Sequence, residues 1–98
     1  MTITKTQEGS SVILKIAGRI DTETAPELEE TVNGLVGQAD AVTFDLEGTE
    51  YISSSGIRAL MSARRRFPGA DSMKVIHANE IVKEVLNVTG LTEALNIQ

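Results

Sequence analysis

Four short runs of branched apolar residues alternate, after an opening pair, with stretches whose apolar residues recur every three or four positions, and few folds accept that order. Thr2 to Gln7 and Ser11 to Ala17 flank Glu8-Gly9-Ser10, which is a hairpin signal. Thr24-Ala25-Pro26-Glu27 has the spacing of a capping box with proline inside the first turn. A helix is therefore expected from about Ala25, with Ala25, Leu28, Val32, Leu35 and Val36 as its apolar positions, Gly34 fraying its last turn and Gly37 ending it. Ala41 to Leu46 is short and mostly apolar, as a central strand is, and Glu47-Gly48-Thr49 closes it with a turn. A second helix is expected from about Ser54 to Phe67, burying Ile57, Leu60, Met61 and Ala63 before Pro68-Gly69 stops it. Met73 to His77 reads as another strand. Asn79 then caps a third helix with the stripe Ile81, Val82, Val85 and Leu86, closed by Gly90. The tail carries Leu91, Ala94, Leu95 and Ile97, enough to dock as a last short element. Strand, strand, helix, strand, helix, strand, helix, tail implies an α/β fold with a mixed sheet: an N-terminal antiparallel hairpin, then parallel strands joined by right-handed crossovers. With only three amphipathic helices, one sheet face is expected to be covered more thickly than the other.

The 98 residues fit a single domain over 1–98, which buries about two thirds of the surface an unfolded chain exposes. Repeats and low-complexity segments are absent. Without cysteine there are no disulfides, thiolate metal ligands or cysteine nucleophiles. The first ten residues lack the basic flank and apolar run of a signal peptide, and no stretch approaches a membrane span, so a cytoplasmic protein with no membrane partner is expected. A net charge of -5 opposes a nucleic-acid surface, and Phe44, Tyr51 and Phe67, the only aromatics, supply no stacking platform. Arg64-Arg65-Arg66 falls in the last turn of the second expected helix, where cations favour the negative end of the dipole.

Ser53-Ser54-Ser55 stands where that helix begins, and a helix start needs one capping hydroxyl, not three. Four readings compete. One serine, Ser53 or Ser54, caps the helix. A serine hydrolase would need a histidine base and an orienting carboxylate; His77 is the one histidine, and the stretch lacks a G-x-S-x-G elbow. A phospho-aspartate receiver built on Asp45 would need an acidic pair after the first parallel strand to hold Mg²⁺, where Lys15-Ile16-Ala17-Gly18-Arg19 stands instead. The fourth reading is a phosphoacceptor serine. An added phosphate of about -1.5 to -2 charges is tolerated at the positive end of a helix dipole, so the fold survives while the surface changes. Asp45, Glu47, Glu50 and the Asp21 loop make that surface acidic, and a phosphate added to it would repel an acidic partner and force a close apolar contact to desolvate it. The chain has no P-loop, so any ATP belongs to a partner; neither a cofactor nor a metal is expected, and no catalytic residue is assigned.

Three stretches together resemble the STAS domain family, and within it the small single-domain anti-sigma factor antagonists. They are Leu14 to Asp21 with Thr24-Ala25, Val42 to Leu60, and Val85 to Leu91, which cover nearly the whole chain in the family's order. The second is the most specific, since strand, turn and a D-S-[ST]-G helix start at that spacing are the family's signature, which stands here as Ser53-Ser54-Ser55-Gly56. The resemblance implies a STAS-like sheet with helices mainly on one face and a protein that acts by binding. Its implied partners are an anti-sigma factor that is also an ATP-dependent serine kinase, and a phosphatase that restores the unphosphorylated form, so that the outcome is control of transcription. By position the phosphorylated residue is Ser54; Ser55 and Gly56 match the next two motif positions, and Ser53 replaces the motif's aspartate as helix cap. Asp21 and Thr22 match the loop bordering the partner surface, and Asp21, Thr22, Ser54, Ile57 and Arg58 are the expected partner-binding residues. A non-phosphorylated STAS adaptor or scaffold module in a signalling complex is the alternative.

Overall fold

Gly9 takes a left-handed backbone conformation (φ 63°), and around it β1 (Thr2–Glu8) folds back on β2 (Ser11–Ile20), antiparallel from Thr2 opposite Ala17 to Glu8 opposite Ser11. The computed structural model describes all residues from Met1 to Gln98. After the hairpin come α1 (Ala25–Leu35), β3 (Ala41–Asp45), β4 (Thr49–Ile52), α2 (Ser54–Arg66), β5 (Met73–Ile76) and α3 (Glu80–Val88). The sheet is mixed, as the element order predicts, with strands ordered β1-β2-β3-β5 and β4 set against β2.

β2 changes neighbour along its length. Ser11 to Lys15 pairs in parallel with β3, and Gly18 to Ile20 pairs in parallel with β4. The register shifts between Gly18 and Arg19, at a glycine with φ 99°, so that Gly18 faces Thr49 but Arg19 already faces Tyr51. The four-residue β4 is the element that sequence periodicity misses: only its end residues Thr49 and Ile52 are buried, which leaves no alternation to detect. It is held instead by polar contacts. The buried Thr49 hydroxyl donates to the Ile16 carbonyl at 2.7 Å, and the Gly18 N–H donates to the Gly48 carbonyl at 2.9 Å.

Val12, Leu14 and Ile16 of β2, Val42 and Phe44 of β3, and Met73 and Val75 of β5 alternate onto one sheet face and are fully buried. They form one cluster with Leu28, Val32 and Leu35 of α1, Leu60 and Ala63 of α2, and Val82 and Leu86 of α3. Each fully buried Leu or Phe contributes about 1.5–3 kcal/mol relative to exposure. On the other face Ile13, Thr43 and Ile76 are half-buried and Lys15 and Lys74 exposed, so the helices lie mainly on one side.

Several local expectations need correction. Val36 is not an inward helical position but the extended C-cap of α1, 44 % exposed, because the chain leaves the helix there ahead of Gly37 (φ 83°). Met61 lies on the flank of α2 rather than in its stripe, which runs through Gly56, Ile57, Ala59, Leu60 and Ala63. Ile81 is 60 % exposed, since Val82 and Leu86 carry the buried face of α3. Thr24 occupies the N-cap of α1 but makes no capping bond; its hydroxyl is used within the preceding loop.

The remaining signals act as read. Asn79 caps α3 by accepting the Val82 N–H at 2.8 Å, and its amide donates to the Thr49 and Glu50 carbonyls at 3.0 and 3.4 Å, tying α3 to β4. Arg64 donates to the Phe67 and Gly69 carbonyls, both at 2.8 Å, beyond the C-terminus of α2. The tail folds as turns with Leu95 buried, and Ile97 bridges Val75 in parallel along β5. No helix is long and apolar enough to cross a membrane.

Candidate functional site

Because β2 and β4 run in parallel and end opposite each other, at Ile20 and Ile52, the segments that follow them leave the sheet side by side. The Ser53 N–H donates to the Ile20 carbonyl at 2.8 Å, which closes the junction. Gly56 lets the first turn of α2 lie on these strand ends. A Cβ there would stand 2.6 Å from Ile52 Cγ1 and 2.8 Å from both Ile20 Cγ2 and the Ile20 carbonyl oxygen. Ile57 is also buried, so it supports the exposed surface from beneath.

The loop after β2 is organised by Asp21. Its Oδ1 accepts the N–H groups of Glu23 and Thr24 at 3.0 and 3.1 Å, while its own N–H donates to the Thr24 hydroxyl at 2.8 Å. The Thr24 hydroxyl shares its one donated hydrogen between the Arg19 carbonyl at 2.8 Å and Asp21 Oδ1 at 3.2 Å. These bonds lower the Asp21 pKa below its ordinary value. The Thr24 N–H has the largest effect, burial opposes it, and the Thr24 hydroxyl, the Glu23 N–H and Arg19 add to the lowering. The Arg19 guanidinium stands 3.9 Å from Asp21 Oδ2 and 4.7 Å from the centre of the Tyr51 ring.

The three serines have separate environments. Ser53 is the extended N-cap of α2, and its Oγ accepts the Gly56 N–H at 3.3 Å. Ser55 is half-buried, with its Oγ 3.1 Å from the Thr22 hydroxyl and accepting from the Arg58 guanidinium at 3.1 Å. That pair of contacts joins the Asp21 loop to α2. Ser54, between them, is exposed, and its hydroxyl makes no hydrogen bond within the protein. The structure thus brings Asp21, Thr22, Ser53, Ser54, Ser55, Gly56 and Arg58 to one end of the sheet.

The surroundings are more mixed in charge than the sequence suggests. No acidic residue lies in the first turn of α2, and Arg19 and Arg58 stand among the site residues. Arg19 carries no local sequence signal of a place in this site; the register that sets it beside Tyr51 appears only once β4 is recognised. Asp45 and Glu47 gather on His77 instead: His77 Nδ1 lies 3.0 Å from Asp45 Oδ1 and 4.0 Å from Glu47 Oε2. None of the three serines shares a hydrogen bond with His77. The arrangement offers one free hydroxyl at a helix N-terminus, backed by a hydrogen-bonded loop and bordered by guanidinium groups.

Over 98 aligned residues the chain is 24% identical to the anti-sigma-F factor antagonist RsfB of Mycobacterium tuberculosis, covering 99% of this chain and 80% of that protein. Its fold matches the crystal structure of an anti-sigma factor antagonist from Mycobacterium paratuberculosis with a TM-score of 0.87 at 22% identity, over 98% of this chain and 83% of the other. It also matches the anti-sigma factor antagonist SpoIIAA of Bacillus at 13% identity, with a TM-score of 0.85 for the unphosphorylated form (99% and 88% covered) and 0.78 for the phosphorylated form (99% and 91%). The family model described as "Mlab, STAS domain" matches residues 3–97, and with the strand order and the α2 junction above it places the chain in the STAS domain family.

Proposed function

We propose that this protein is an anti-sigma factor antagonist that binds an anti-sigma factor with the Asp21 loop and the start of α2, and is switched off when that partner, acting as a serine kinase, phosphorylates Ser54. One observation carries the reading: of three adjacent hydroxyls, Ser54 alone is exposed and free of internal bonds, while Ser53 caps the helix and Ser55 joins it to Thr22. The names of its relatives support the partner class, and the existence of SpoIIAA in a phosphorylated form supports the modification. The positive end of α2 accommodates a phosphate of about -1.5 to -2 charges without melting the helix. Docking over that group would require stripping its hydration, which is what weakens the complex. The chain acts by binding in the cytoplasm, has no catalytic step of its own, and is restored by a phosphatase.

The test is to incubate the protein with its candidate anti-sigma factor and ATP, locate phosphate by mass spectrometry, and compare the affinities of the wild type, Ser54→Ala and Ser54→Asp. Phosphate on Ser54, and weaker binding for Ser54→Asp than for Ser54→Ala, are expected. The uncharged cap Ser53 at the motif's aspartate position favours a second reading, a non-phosphorylated STAS adaptor. Equal affinities and no incorporation with a partner that does bind would select it.

A further inference from the structure

The carboxyl ends of β3 and β5 hold a second group of polar side chains, which the proposed switch leaves unused. Asp45 is the last residue of β3, Glu47 lies in the turn that follows, and His77 comes directly after β5. One ligand-type atom from each lies within 4.8 Å of the other two. The Asp45 side chain is only 6% exposed, and the bonds it accepts, from His77 Nδ1 at 3.0 Å and the Glu47 N–H at 3.1 Å, both fall on Oδ1. Its Oδ2 has no hydrogen-bond partner within the protein. No side-chain nitrogen or oxygen of the protein is both buried and unpartnered, so this oxygen reaches solvent and is open to a ligand from outside.

The spacing fits a cation. Nitrogen and oxygen ligands about 2.0–2.1 Å from a tetrahedral zinc stand about 3.3 Å from one another. The His77–Asp45 and His77–Glu47 separations of 3.0 and 4.0 Å bracket that value, and the Glu47 side chain is exposed and free to close the difference. We propose that Asp45, Glu47 and His77 form a binding site for a divalent first-row cation of the zinc type, with its remaining coordination positions open to water or to a ligand from a docked protein. An imidazole nitrogen among the ligands selects such an ion over Mg²⁺ or Ca²⁺, which prefer oxygen alone. Lys15, the register partner of Asp45 on β2, opposes the ion with its own charge.

A bound ion would fasten the turn before β4 to the connection before α3. Asn79, two residues beyond His77, already holds the Thr49 and Glu50 carbonyls, and β4 leads directly to Ser53. The inference does not depend on phosphorylation. The full chain, free of any affinity tag, is titrated with Zn²⁺ alone by calorimetry and thermal melting, and with Co²⁺ by visible absorption. One equivalent binding in the micromolar range, a raised Tm and a tetrahedral Co²⁺ spectrum are expected. His77→Asn keeps a residue that accepts the left-handed backbone at this position (φ 61°) and should weaken binding by about tenfold or more; Glu47→Gln should weaken it severalfold, and Lys15→Gln should tighten it. Absence of saturable binding up to about 1 mM Zn²⁺, or equal binding by His77→Asn and the wild type, overturns the proposal.

Discussion

Gly56→Ala and Gly34→Ala are the same chemical change in two helices and should have opposite signs. At Gly56 the new methyl would stand 2.6 Å from Ile52 Cγ1, 2.8 Å from Ile20 Cγ2 and 2.8 Å from the Ile20 carbonyl oxygen. A side chain can rotate away, but the carbonyl belongs to β2 and accepts the Ser53 N–H, so α2 must lift from the strand ends. Overpacking of this kind costs about 1–3 kcal/mol, and here the upper part of that range applies because a backbone atom is one of the obstacles. Alanine returns at most about 1 kcal/mol in helix propensity, leaving a net loss of about 2 kcal/mol. In a domain of this size that corresponds to a Tm about 8–16 °C lower. At Gly34, in α1, nothing lies within 4 Å of the added Cβ, and only the propensity gain of about 0.5–1 kcal/mol remains. Urea unfolding followed by far-ultraviolet circular dichroism suits a chain with no tryptophan. A Gly56→Ala protein within about 0.5 kcal/mol of the wild type, or a Gly34→Ala protein destabilised as much, would refute the close-approach account of the α2 junction.

Removing the α2 cap with Ser53→Ala should cost about 1 kcal/mol in urea unfolding, whereas Ser54→Ala, which breaks no internal bond, should stay within about 0.5 kcal/mol of the wild type. Asn79→Ala loses both the α3 cap and the bonds to β4, so it should cost more than the Ser53 cap, about 2 kcal/mol by the same assay. Acid should destabilise the fold through Asp45. Burial raises its pKa, but the Glu47 N–H, the His77 hydrogen bond and charge, and Lys15 together bring it below the ordinary 3.8. The unfolded chain therefore takes up this proton at higher pH than the folded one. The stabilisation is fully present above the ordinary carboxylate range and is lost as the pH falls through the folded value, so Asp45→Asn should flatten the drop in Tm below pH 3.8.

The hairpin and the three helix starts are legible because each has a local signal: Gly9 in the turn, Pro26 in the first turn of α1, serine at the start of α2 and Asn79 at the start of α3. Pro68-Gly69 likewise marks the end of α2 within a residue or two. What is illegible depends on partners far along the chain. β4 is a strand because β2 offers it a shifted register, and Thr49 reveals its role only when the Ile16 carbonyl is placed opposite. Thr24 has the sequence of a capping residue, yet a carboxylate three residues earlier claims its hydroxyl. The serine run shows the same limit. Ser53 is recognisable as a cap from its position, whereas the distinction between Ser54 and Ser55 requires Thr22, 33 residues before Ser55, to be seen across the junction.

The tail has a consequence for how copies of this chain meet. The outward N–H and carbonyl of Val75 are taken by Asn96 and Gln98, and the Asn96 amide takes the Met73 carbonyl, which seals the β5 border. That leaves β1, and β4, which pairs with β2 alone, as the strands with an unpaired side. The tail thus withdraws β5 from strand-to-strand recruitment by a second chain.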